Sequence, residues 1–208
     1  MLDLYFNALI TLLVVIDPVG VAATFVPLTA GMEPAERKRT ARRGVLIAGA
    51  ILLAFAVGGN RFLSALGIGL AAFRIAGGIL LFFLAIEMIL VRQASLRTTP
   101  LEQAEAGEKE DISVFPLAIP LIAGPGAITS TVLLMGHAWA NPWHALGFLA
   151  VGILALALTY AALTSASRLI GVLGVTGANV VGRVLGIVLA ALAVQFVLDG
   201  LRGAGLMH

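Results

Sequence analysis

The sequence predicts an all-α polytopic membrane protein. Six transmembrane helices form two inverted three-helix repeats, with the first and fourth helices interrupted. Three observations carry this reading. The 208 residues are 60% hydrophobic and 12% charged, with a mean hydropathy of +1.06. Several apolar stretches approach the roughly 20 residues that cross a bilayer as a helix. Two of them are broken at matching points, since Pro18 and Pro125 lie 107 positions apart. Each half carries three spans, and an odd number turns the halves upside down relative to each other.

The chain reads as one membrane domain, 1–208. It divides into a first repeat, 1–91, a cytoplasmic linker, 92–112, and a second repeat, 113–208. The first span is 4–28. Unbroken it would reach about 38 Å, beyond the roughly 30 Å hydrocarbon core. Asp17-Pro18-Val19-Gly20 supplies the break. A charge at the bilayer centre costs about 3 kcal/mol on insertion scales, and an interior proline roughly another 3 kcal/mol. Asp17 then reads as the N-cap and Pro18 as the first residue of a half-helix.

Residues 32–43 read as a basic loop with Arg37, Lys38, Arg39, Arg42 and Arg43. The second span is 44–57, short enough that a tilt or a start inside the basic loop stays open, followed by a turn at 58–61 and an apolar connector at 62–68. The third span, 69–91, carries Arg74 and Glu87. The linker is acidic, with Glu102, Glu105, Glu108, Glu110 and Asp111, and reads as a solvated segment. The fourth span, 114–135, is interrupted at Gly124-Pro125-Gly126. Trp139 and Trp143 in the next turn suit the aromatic belt at the membrane interface. The fifth span is 145–163, the connector 165–176 and the sixth span 177–201.

The repeat extends beyond the prolines. Arg61, Leu66 and Gly67 match Arg168, Leu173 and Gly174 at the same offset. One residue later in register, Gly69, Gly78, Ala85 and Glu87 match Gly177, Gly186, Ala193 and Gln195. Placing the basic segment in the cytoplasm leaves few basic residues opposite, so both termini are expected outside. The N-terminus has no basic region and no small-residue cleavage site, so the first apolar run is expected to be a retained span.

Asp17 is the leading candidate for chemistry, because intramembrane carboxylates mark functional sites. Its competing role is that of a helix cap alone. The second break has no carboxylate. It offers backbone N–H groups at a half-helix N-terminus around Gly126 and Ala127, suited to an anionic group. Together the breaks could hold a zwitterion. The candidate substrate-binding set is Asp17, Pro18, Gly20, Thr24, Gly124, Pro125, Gly126, Ala127, Thr129 and Ser130. Thr24, Thr129, Ser130 and Thr131 lie within two turns of the breaks, and the bland reading for each is a bond to its own helix carbonyls. Arg74, Glu87, Arg183 and Gln195 are candidates for gating or coupling, against simple snorkelling or pairing. Gly77, Gly78, Gly182 and Gly186 read as close-contact positions.

The chain has no cysteine and only three histidines, His137, His144 and His208. A thiolate metal site, a disulfide and a cysteine nucleophile are excluded. The HExxH, GxSxG and phosphate-cradling patterns are absent as well. No enzyme activity, metal or cofactor is therefore expected. The basic cluster is a topology signal rather than a nucleic-acid site.

Three motifs carry a family resemblance: Asp17-Pro18-Val19-Gly20, the run from Pro116 through Pro120 and Gly124-Pro125-Gly126 to Thr129, and Gly182-Arg183-Val184-Leu185-Gly186 with Gln195-Phe196. With these the chain resembles the MarC family, also called UPF0056, over essentially its whole length. The resemblance implies a six-span protein of the bacterial inner membrane. It also implies kinship to small neutral amino acid transporters, including an alanine exporter. The expected function is outward transport of an alanine-, glycine- or serine-like amino acid, bound between the breaks near the midplane. The alternatives are another small solute or ion, a non-transporting scaffold and, third, a membrane enzyme. The expected partners are the small-molecule substrate and the bilayer, with a homo-oligomer left open.

The topology is testable with single cysteines in this cysteine-free chain. Asn60→Cys and His137→Cys are expected to react with an impermeant thiol reagent from outside, and Glu105→Cys only from the cytoplasm. Labelling of positions 60 and 105 from one side would overturn the inverted repeat.

Overall fold

The computed structural model describes residues 2–90, 111–138 and 142–206, and every element among them is helical. Most of the acidic linker, Trp139 and His208 lie outside the described residues. The elements are α1 (Leu2–Ile16), α2 (Pro18–Leu28), α3 (Pro34–Ala65), α4 (Leu70–Leu90), α5 (Ser113–Ile122), α6 (Pro125–Ala138), α7 (Pro142–Thr164) and α8 (Ala166–Gly203). Five stretches are long and apolar enough to cross a membrane, and a bent pair, α5 with α6, raises the number to six.

The two interrupted spans behave differently. α1 and α2 together make one candidate span of 26 residues, Asp3–Leu28. α5 and α6 meet at 57°. The bend has a local cause. Pro116 and Pro120 both sit inside α5, where neither can donate a backbone hydrogen bond, and Phe115 and Ile119 take extended backbone angles. α5 is consequently wound wide, with Ala123 N–H donating to the Ala118 carbonyl five residues back.

Three boundaries depart from the sequence reading. The expected basic loop is helical from Pro34 onward, so Arg37 to Arg43 occupy the first turns of α3. Pro34 is favourable at the start of a helix, and alanine, glutamate, lysine and arginine are strong helix formers. The expected turn at 58–61 is also helical. Gly59 lies against Val132 of α6, where an added Cβ would come within 2.6 Å. Its small size serves packing rather than reversal. The actual turn follows at Gly67, with φ of +72°. Finally, the 165–176 connector is helical from Ala166 and changes direction at Gly174, φ 65° and ψ 173°. Gly67 and Gly174, which the sequence reading matches at an offset of 107, both use the left-handed backbone region that glycine tolerates.

α4 and α8 form the most extensive helix pair. They run antiparallel. A Cβ at Gly78 would lie 2.7 Å from the Ala193 carbonyl oxygen, and one at Gly186 3.1 Å from that of Ala85. Further along, Gly200 lies as close to the Ala71 carbonyl oxygen, at 3.0 Å. Small residues let membrane helices approach in this way, because lipid supplies no hydrophobic drive between them. Gly182 has no such role, since nothing lies within 4 Å of a Cβ there. α3 and α7 also run antiparallel, with Gly49 beside Leu156 and Ala56 clustered with Phe148.

One buried cluster joins residues of all eight elements, from Val15 and Ile16 to Leu189 and Ala193. The outer faces carry large exposed apolar side chains such as Leu46, Phe83, Ile153 and Ile187. That is the surface expected of a protein solvated by lipid.

A charged contact joins α3 to the residues just before α5. Arg43 pairs with Asp111 at 2.6 Å. The Asp111 carboxylate also accepts from the Ser113 hydroxyl and, at 3.1 Å, from the Ser113 N–H. The Ser113 hydroxyl, assisted by its N–H and by Arg43, holds the Asp111 carboxyl below the usual carboxylate range.

Gly78→Ala is expected to push α4 away from α8 and lower stability by about 1–3 kcal/mol, as overpacking does. Gly182→Ala is expected to be neutral or to stabilise by up to about 1 kcal/mol through helix propensity. Thermal unfolding in detergent compares the two, and equal melting temperatures would refute the assigned contact.

Candidate functional site

The first break is built by four residues. Asp17 takes φ 54° and ψ 68°, the only positive-φ non-glycine among the described residues. Its own N–H still closes α1 by donating to the Leu13 carbonyl at 2.9 Å, and its carbonyl accepts from Val21 N–H at 2.9 Å. The side chain folds back and accepts from Gly20 N–H at 3.0 Å. Asp17 is therefore the N-cap and Pro18 opens α2, as the sequence predicts. Asp17 is 4% exposed, so a carboxylate sits inside the apolar cluster between Ile16 and Val21.

Gly20 has a definite reason to be glycine. A Cβ there would lie 2.1 Å from Asp17 Oδ2. The carboxylate occupies the space that any other residue would fill. Thr24 hydroxyl donates to the Gly20 carbonyl at 3.0 Å, which is the bland reading of that residue.

The second break runs from Ala123 to Pro125, where α6 begins. A Cβ at Gly124 would come within 2.6 Å of the Pro120 carbonyl oxygen. Gly126 lies against Leu81 of α4 and Val15 of α1, at 2.7 and 3.0 Å from a built Cβ. Val15 is two residues before Asp17, so the structure brings the two breaks into one core. Ala127 is buried in the same cluster. Thr129 packs its methyl against Gly77. Ser130 is fully buried, and its hydroxyl has no hydrogen-bond partner among the described residues.

The cavity at the second break is small, about 30 Å³, and lined by Val15, Leu80, Leu84, Pro120 and residues 124–127 among others. Such a space admits about one or two waters. Glu87 is half-buried on α4, one turn beyond Leu84, and Arg74 is half-buried nearer the start of that helix. Arg183 and Gln195 are not gathered in. Both lie on exposed faces of α8, and Gln195 donates to Asp199 Oδ1 at 2.8 Å.

One residue acquires a role that the sequence reading did not give it. Arg37 stacks its guanidinium 5.4 Å from the centre of the buried Phe25 ring and donates to the Ser167 hydroxyl. It ties α2, α3 and α8 together. Nothing in the local sequence marks this, because Ser167 is 130 positions away.

Broken spans, an apolar outer surface and a buried intramembrane carboxylate define a multi-pass helical membrane protein. The comparisons narrow this further. Residues 2–205 match the MarC family integral membrane proteins. A UPF0056 membrane protein of Methanocaldococcus jannaschii is 39% identical, covering 91% of this chain and 92% of its own. The UPF0056 membrane protein YhcE of Escherichia coli is 34% identical over 96% of this chain and 92% of its own. YvbG of Bacillus subtilis is 36% identical, with 95% and 93% covered. The chain belongs to the MarC family. No solved structure matches it significantly.

Gly20→Ala tests the first break. Helix propensity alone favours alanine by about 1 kcal/mol. The displaced cap is expected to outweigh this and to leave a net loss of roughly 1 kcal/mol. Adding Gly20→Ala to Asp17→Ala is expected to cost nothing more. A stabilised Gly20→Ala protein in a thermal melt would disprove the steric account.

Proposed function

We propose that this chain transports small neutral amino acids of the alanine, glycine or serine class, as an exporter of the bacterial inner membrane. The observation that carries the reading is the buried Asp17 carboxylate, held at a helix break that touches a second break. Broken helices near the midplane are where secondary transporters bind substrate. Asp17 would take the substrate ammonium or a coupling proton. The N–H groups around Gly126 and Ala127 would take the carboxylate. Thr129 and the unsatisfied Ser130 hydroxyl lie one turn further along α6. Glu87, beside the lining of the second-break cavity, is the favoured coupling residue, with Arg74 on the same helix.

The cavity of about 30 Å³ is too small for an amino acid. The breaks must therefore separate for entry, and rocking of one repeat against the other supplies that motion. An inverted repeat is supported by reciprocity. Gly78 meets Ala193 and Gly186 meets Ala85, and each member of one contact is the repeat mate of a member of the other. A two-fold relation between antiparallel helices produces such a pair. With the basic end of α3 in the cytoplasm, both termini lie outside.

A second reading rests on the completeness of the cap. Asp17 already bonds to Gly20 N–H, as a purely structural residue in a scaffold would. Asp17→Asn separates the two. Asparagine keeps a capping oxygen and loses the charge. Amino-acid counterflow in proteoliposomes is expected to fall tenfold to a hundredfold, as loss of an interaction of about 1.5–3 kcal/mol requires, while the protein stays monodisperse. Parent-like flux in Asp17→Asn would remove Asp17 from the binding site. A parent protein with no flux across an amino-acid panel would refute the transport reading.

A further inference from the structure

A second, larger cavity lies beside the bundle's outer face. It has a volume of about 590 Å³ and lies between α1, α3, α6 and α7. Its walls are apolar apart from Arg42, Thr131 and Tyr160. We propose that it holds one acyl chain of an anionic phospholipid, whose phosphate pairs with Arg42.

The shape supports a chain rather than a compact solute. Along α3 the lining runs from Arg42 to Ala56, about 21 Å of helix. That exceeds half of the roughly 30 Å hydrocarbon core, the depth of one leaflet. The slot opens sideways to lipid, because Leu46, Leu53 and Ile153 on its walls are 65%, 50% and 68% exposed. α3 and α7 are antiparallel, with Gly49 beside Leu156 and Arg37 bonded to Ser167. Arg42 and Tyr160 therefore share one end of the slot, and Phe148 marks the other.

The charge at the mouth selects the headgroup. Arg43 is committed to Asp111, and Arg37 to Ser167 and Phe25. Arg42 is exposed and makes no ion pair among the described residues. It sits with Lys38 and Arg39 on the basic first turns of α3. Basic side chains at the membrane surface attract anionic lipid by about 1 kcal/mol each. The lining includes Ile16, the residue before Asp17, and Thr131 of α6, so a bound chain would wall the proposed substrate site from the bilayer.

Native mass spectrometry of the full-length protein tests this with phosphatidylglycerol and phosphatidylcholine of identical chains. The parent is expected to prefer phosphatidylglycerol by about fivefold. Arg42→Gln is expected to abolish that preference, and Arg39→Gln, which lies off the cavity, to retain it. A Cβ at Gly152 meets nothing within 4 Å, so Gly152→Leu has room to fill the slot. It is expected to lower the binding of both lipids. Equal binding of the two lipids by the parent would overturn the proposal. So would a preference that survives Arg42→Gln, or a monodisperse Gly152→Leu protein that binds both lipids as the parent does.

Discussion

Within a bilayer a backbone N–H that loses its helical partner has no water to turn to, and an unsatisfied group costs several kcal/mol. Pro18 interrupts the hydrogen-bond ladder of the first span, so the freed groups must find partners inside the protein. Asp17 answers this with its own side chain. The carboxylate reaches back to Gly20 N–H, and glycine at that position is the condition for it to fit. The same act places a carboxylate in the apolar cluster. A device that keeps the span intact thus also creates the most polar point in the core. The link from backbone chemistry to a candidate transport site is therefore short.

The second break solves the problem differently. α5 widens its winding around two prolines and then stops, and α6 begins afresh at Pro125 with a 57° change of direction. No acidic residue occurs between Ser113 and Ala138. Instead, backbone glycines let α1 and α4 close against the start of α6, with Val15 and Leu81 at Gly126. One break is thus sealed by charge and the other by contact. That difference is the basis for assigning the two ends of a zwitterion to them.

Helix contact elsewhere depends on the same economy of size. α4 and α8 meet backbone to backbone at Gly78, Gly186 and Gly200. With lipid on the outside, such contacts gain from dispersion rather than from exclusion of water. Larger residues there would separate the third spans of the two halves and disturb the cluster in which both breaks are buried. Polar contacts between helix ends stand at the edge of this arrangement. Arg43 with Asp111 and Arg37 with Ser167 fasten helix ends together where water can reach them.

Composition and the spacing of prolines and glycines were enough to establish an all-helical membrane protein, its two interrupted spans and the capping role of Asp17. These are local matters. A run of about 20 apolar residues, or an Asp-Pro pair, has the same consequence wherever the rest of the chain lies. The matched glycines Gly67 and Gly174 were legible too, because both answer a backbone demand that glycine meets with the least strain. Only the tertiary structure decided that Gly58 and Gly59 continue a helix, and that Gly182 is not a contact while Gly200 is. The same glycine serves a turn or a close approach, and the choice depends on whether a neighbouring helix comes within about 3 Å. Tertiary structure also decided that the breaks touch, that Arg183 and Gln195 stand apart from them, and that a long apolar slot opens beside Arg42. Each of these follows from side chains more than 50 positions apart in the chain, a relation that hydropathy and spacing do not encode.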